Sequence, residues 1–182
     1  IACLEKTIGL QILQDGGHIS RNPSQMLEIL AILVDIRAAF KAAAYSTPGF
    51  VKDTIEKLSS ALRTLRHRDR KFALFHGAQE GDVSIIDSIL AQAGTQKKTR
   101  ESLGDTGFER IEIGRGLLLL DSGCVPPKPF DYNAHASPLA FEFSYGKERL
   151  FVSCGSHPAS EDWKDALRST AAHNTASLDS RN

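Results

Sequence analysis

The sequence has no excess of charge of either sign: 22 lysine and arginine residues balance 22 aspartate and glutamate residues. No overall field draws the chain to nucleic acid or to an anionic membrane surface, and no nucleic-acid partner is expected. Any polyanion site has to be a local patch. Cysteine is scarce. Cys3, Cys124 and Cys154 have no C-x-x-C spacing and cannot all pair within one chain, which argues against a disulfide framework and leaves the redox compartment open. Long apolar runs are missing too: the strongest, Met26 to Ile36, is broken by Glu28 and Asp35 and is too short to span a bilayer. Gly-rich phosphate loops, nucleophile elbows and H-E-x-x-H helices are absent. What is present is the ordinary balance of a folded chain, 41% hydrophobic and 24% charged over 182 residues, enough for one domain or two small ones.

The first residues read as the middle of a helix, with no methionine or basic leader before them, so the sequence is expected to be a piece of a longer protein. Ile1, Leu4, Ile8 and Ile12 recur at helical period until Asp15-Gly16-Gly17 ends the pattern. Asn22-Pro23 restarts it, with asparagine as N-cap and proline where a missing N–H costs nothing, and Met26 to Phe40 is apolar on most faces. Thr47-Pro48 starts a third helix through Val51, Ile55, Leu58, Leu62 and Leu65, closing on Arg66-His67-Arg68; Asp82 caps a fourth that stops near Gly94. After the polar stretch Thr95 to Ser102 the period falls to two. Ile111 and Ile113 alternate with Arg110 and Glu112, Gly114-Arg115 turns, and Leu117 to Leu120 return. Leu139, Phe141 and Phe143 alternate likewise, Tyr145-Gly146-Lys147 turns, and Leu150 to Ser153 run back, with Thr175 to Leu178 as a candidate fifth strand. Helices followed by strands, without β-α-β alternation, predict an α+β chain divided into residues 1–102 and 103–182.

Three segments concentrate chemistry. Asp15 to Pro23 packs His18, Arg21 and Asn22 beside a helix N-terminus and can bind a carboxylate or sulfate, or serve simply as a capped helix connection. Arg66 to Lys71 with Phe72 to Gly77 sets Arg66, His67 and His76 near aromatic rings, which suits a sugar-acid subsite or a solvated helix end. Tyr132-Asn133-Ala134-His135, with His173 far along the chain and Cys154 between, supplies imidazole and thiolate donors of the kind zinc takes, although satisfied structural histidines are the commoner explanation of two distant imidazoles.

Two of these segments, with a third motif further along, resemble signatures of the heparinase II/III family, in the right order through nearly the whole chain. Asp15 to Ser24 is similar to its D-G-x-H-x-E-R-S-P-x loop, Asn133 to Glu142 to its H-A-H-A-D-x-L-S-F-E strand entry, and Arg168-Ser169-Thr170-Ala171-Ala172-His173-Asn174-Thr175 to its R-S-T-x-A-H-N-T signature. The resemblance implies the C-terminal helices of an α/α toroid followed by the first antiparallel strands of a β-sandwich. It further implies a periplasmic or cell-envelope polysaccharide lyase that cleaves a uronate-containing acidic glycan by β-elimination. On that basis His18, Asn133 and Tyr132 are the candidate catalytic residues, Arg21, Asn22, Arg66, His67 and His76 the candidate substrate contacts, and His135, His173 and Cys154 the candidate ligands of a structural zinc. Four positions depart from the signatures: Ser20 replaces a glutamate, Gln25 a tyrosine, Asn133 a histidine and Ser137 an aspartate. The V-D-x-G pattern that carries an acidic zinc ligand reads Val152-Ser153-Cys154-Gly155. The alternative expectation is therefore a catalytically silent carbohydrate-binding or envelope-assembly protein on the same scaffold.

Overall fold

The computed structural model describes residues 1–94, 99–157 and 160–177. Helix α1 (Ala2–Gln11) leads through the Asp15 loop to α2 (Pro23–Ala42), α3 (Gly49–Thr64) and α4 (Val83–Ala93). The start signals act as read. Asn22 accepts from the N–H groups of Ser24 and Gln25 at the head of α2, Asp82 accepts from Ser84 at the head of α4, and Gly94 ends α4 in the left-handed region. At α3 the cap position is Pro48, and Thr47 makes no side-chain cap. Met26, Leu30, Leu33, Val51, Ile55, Leu58, Leu62, Ile86 and Leu90 close the helical core.

Strands β1 (Ser102–Leu103), β2 (Phe108–Ile113), β3 (Gly116–Asp121), β4 (Phe141–Tyr145) and β5 (Glu148–Phe151) form one antiparallel meander in sequence order. The chain is thus α+β, and the two hairpins lie where the period of two places them. The face that meets the helices is the less apolar one. Ile111 and Ile113 of β2 are exposed while Arg110 is buried, and in β4 it is Glu142 and Ser144 that are buried. Among these polar groups Phe108, Leu117, Leu119 and Ala140 join the helical core, so one apolar cluster runs through both layers. After Ser160 comes a further helix, α5 (Glu161–Leu167), and the carbonyl of Arg168 just after it accepts from the Ala136 N–H. Thr175–Ser177 form no strand; the Ala176 N–H donates to the Pro138 carbonyl, and Leu178 lies outside the described residues, as do 95–98 of the polar stretch.

Candidate functional site

The loop after α1 is built into the start of the sheet. A Cβ on Gly17 would lie 1.7 Å from the Thr106 hydroxyl, so only glycine fits. The Asp15 carboxylate accepts from the Gly17 N–H and from both the N–H and the hydroxyl of Thr106. Fixed this way, His18 has no solvent exposure. Its Nδ1 faces the Ser20 hydroxyl at 2.7 Å and accepts the Ser20 N–H, leaving Nε2 to donate to Gln11 at 3.2 Å. Burial pushes its pKa down to about 4.

Arg21, at a φ of 61°, turns its guanidinium inward, where it donates to the carbonyls of Thr106 (2.7 Å), Cys124 (2.8 Å) and Gly107 (3.1 Å) and pairs with the Asp121 carboxylate. Its plane lies over the Phe108 ring at 4.8 Å. Asn22 is the α2 cap and donates from its amide to the His76 carbonyl. His76 meets Asp121 through Nε2 at 2.7 Å, and its Nδ1 faces the His135 N–H at 3.5 Å. His67 is held between the Ser144 hydroxyl and the Glu142 carboxylate, both at 2.9 Å. Arg66 binds Asp87 and the Arg70 carbonyl. The five side chains expected on a sugar cleft, Arg21, Asn22, Arg66, His67 and His76, thus have internal partners instead. For Arg21, His67 and His76 the cause is the polar inner face of the sheet, whose buried Asp121, Glu142 and Ser144 need partners; Asn22 and Arg66 are held within the helical part.

Tyr132 and Asn133 are placed otherwise. Both are exposed and, with Gly77, His135, Lys164 and Arg168, they line a cleft of about 100 Å³ beside α5. That volume is well below the 300–1,000 Å³ of sites that enclose a small molecule, so the cleft suits the edge of a chain lying across it. Lys164 pairs with Glu161 at 2.6 Å, which also raises its pKa, and Arg168 is anchored through Nε on the Ala134 carbonyl. Asp165 adds a second carboxylate. Lys164 escaped sequence reading because α5 did; the signal was Ser160 followed by Glu161 and Asp162, whose hydroxyl accepts the Trp163 N–H.

His135 and His173 lie together, ring centroids 4.8 Å apart. Burial first, and then the neighbouring His173, His76 and Arg168, pushes the His135 pKa down to about 3. Burial also lowers that of His173, partly offset by the Leu167 backbone, which faces the ring without reaching hydrogen-bond geometry. Cys154 is exposed, while Ser153 beside it is buried, so the thiol is directed away from the imidazoles, as alternation along an extended chain requires. Among the described residues, no group of three histidine, cysteine, aspartate or glutamate side chains could hold a metal. Two neutral imidazoles do not amount to the closed four-donor shell of a structural zinc.

Residues 95–182 match the model of the family described as heparinase II/III-like, C-terminal. These residues belong to that family. The chain is also similar, over 98% of its length, to FtsZ-localized protein C of Caulobacter vibrioides (strain NA1000 / CB15N), at 29% identity across 178 residues and 31% of that protein. Among solved structures, a heparinase III gene product superposes with a TM-score of 0.79 at 21% identity, covering all of this chain and 33% of that one. Heparan sulfate lyase HepC from Pedobacter heparinus superposes with a TM-score of 0.78 at 20% identity over the same shares. The chain therefore spans about a third of the length of the relatives it matches and carries the fold of a polysaccharide lyase scaffold. No helix among the described residues is long and apolar enough to cross a membrane.

Proposed function

We propose that the protein is a cell-envelope component that binds an acidic, uronate-containing glycan on the lyase scaffold without cleaving it. The observation that carries this reading is where the titratable groups sit. The imidazole nominated for proton transfer, His18, is sealed from solvent, with its pKa near 4. A general base works best when its pKa is close to the working pH, and abstraction of a C5 proton from a uronate is poorly served by one this weak. The groups lining the cleft are of another kind: an aromatic face on Tyr132 for a pyranose ring, an amide on Asn133, and the cations Lys164, shared with Glu161, and Arg168, held through Nε on Ala134, for a carboxylate. Similarity along nearly the whole chain to a protein named for its localisation with FtsZ supports a place alongside FtsZ for this protein too.

One observation favours a second reading, lyase turnover. Tyr132 is 70% exposed beside Asn133, so a phenol and an amide stand together where a proton carrier and a carboxylate clamp are needed.

The binding reading is tested by titrating uronate oligosaccharides into the full-length protein and its Tyr132→Ala and Lys164→Ala variants. Neither side chain supports the fold, so weakening of Kd by about tenfold in each is expected from the loss of one stacking or charge-assisted contact. Unchanged affinity in both variants would place the glycan elsewhere.

A further inference from the structure

The zinc that the resemblance implies and the donors that the chain supplies do not agree, and the disagreement is localised to one side chain. We propose that His135, His173 and Ser153 form a latent zinc site that lacks only an anionic ligand, so that the chain holds no resident zinc while one substitution at position 153 creates a holding site.

Several independent features place these residues together. The two rings are 4.8 Å apart and tilted by 37°, an arrangement in which two imidazoles can turn toward a shared point. Nδ1 of His135, both ring nitrogens of His173 and the hydroxyl of Ser153 are buried without a hydrogen-bond partner among the described residues. Buried polar atoms are paired in all but a few cases, and four of the six unpaired ones among the described residues belong to these three side chains. Ser153 is tied to the same spot from two directions. The Asn174 amide, next to His173, donates to the carbonyl of Val152 at 3.0 Å, and the Ser153 N–H donates to Glu142 at 3.2 Å. Glu142 in turn lies close enough to His173 to act on its charge.

Charge explains why the set falls short. Two imidazoles and a hydroxyl are neutral and offset none of a divalent ion's charge, whereas zinc shells are completed by carboxylate or thiolate. Glu142 is the carboxylate at hand, and it is consumed: one oxygen accepts from the N–H groups of Leu74 and Ser153 and the other meets His67. Cys154 faces outward. An anionic group projecting from the Cα of residue 153 would therefore supply the third donor and the missing charge, with water as the fourth donor. Aspartate replaces the serine hydroxyl with a carboxylate on the same Cβ, and cysteine replaces it with a thiol of nearly the same shape.

The test is zinc content of the full-length protein, purified, loaded with zinc and desalted, together with its thermal midpoint before and after a chelator. The wild type is expected to carry well under one zinc per chain, with a midpoint unmoved by chelator. Ser153→Cys and Ser153→Asp are each expected to carry about one zinc, lost to chelator with a fall in midpoint of several degrees, and lost again on adding His173→Ala. The near-isosteric cysteine variant keeps the test decisive if the aspartate variant does not fold. Stoichiometric zinc in the wild type that depends on His135 and His173 would overturn the proposal. A folded Ser153→Cys protein without metal would overturn it equally.

Discussion

His67 and Glu142 meet at 2.9 Å with no solvent exposure on either side chain, one following α3 and the other near the start of β4. The contact is typical of how this chain joins its layers. Arg21 reaches Asp121, Arg110 donates to the carbonyls of Thr64 and Arg66, and His67 reaches Glu142 and Ser144. Buried polar groups that are all satisfied fix one relative position of helices and sheet, because any slip leaves several of them unpaired at once.

Removing one partner of this pair is expected to be severe. His67→Ala strands a buried carboxylate and should cost about 3–5 kcal/mol of stability by urea denaturation. The exposed pair between Arg70 and Asp87 provides the contrast, and Arg70→Ala should cost at most about 1 kcal/mol. Similar losses for the two variants would contradict the structural role of His67.

Arg21 is expected to be structural and not a glycan contact. Arg21→Lys keeps the charge but loses the fork that reaches three carbonyls and a carboxylate. Stability should fall by about 2 kcal/mol or more while glycan affinity per folded molecule is unchanged. A folded, fully stable Arg21→Lys protein with weakened glycan affinity would show the opposite.

His18 gives the fold a defined acid sensitivity. Its pKa is about 4 in the folded protein and near 6.5 in an unfolded chain, so between those values the unfolded state binds more protons. The stability that neutral His18 contributes is fully present above about pH 6.5 and is lost as pH falls toward 4, at up to about 1.4 kcal/mol per pH unit. Denaturant melts at pH 7 and pH 5 should therefore differ by about 2 kcal/mol more for the wild type than for His18→Gln. An equal pH dependence in the two proteins would count against a neutral, sealed His18.

The elements were legible in the sequence because their signals are local. Asn22-Pro23, Asp82 and Gly94 act within a turn of where they stand, and the period of two in Phe108–Ile113 and Phe141–Tyr145 needs no knowledge of the rest of the chain. Which face of a strand meets the helices is a different matter. Alternation separates Ile111 and Ile113 from Arg110 but does not say which set packs on α3, and here the arginine does. The same limit explains the candidate site. Arg21, His67 and His76 find partners 45 to 103 residues away, a pairing that spacing cannot reveal, so side chains suited to a sugar acid read as surface groups when they are interior ones. Tyr132 and Asn133 reach the cleft, but the cations facing them come from α5 and the residue after it.

The central claim, binding without cleavage, is tested most directly by one pair of readings on the same samples. The full-length protein is incubated with a panel of uronate glycans, and the bound fraction is measured alongside the far-ultraviolet absorbance of an unsaturated uronate end. The account predicts retention of at least one glycan with no growth in absorbance over the protein-free control. Absorbance that grows with time and is abolished by Tyr132→Phe would contradict it and establish elimination with Tyr132 as the proton carrier.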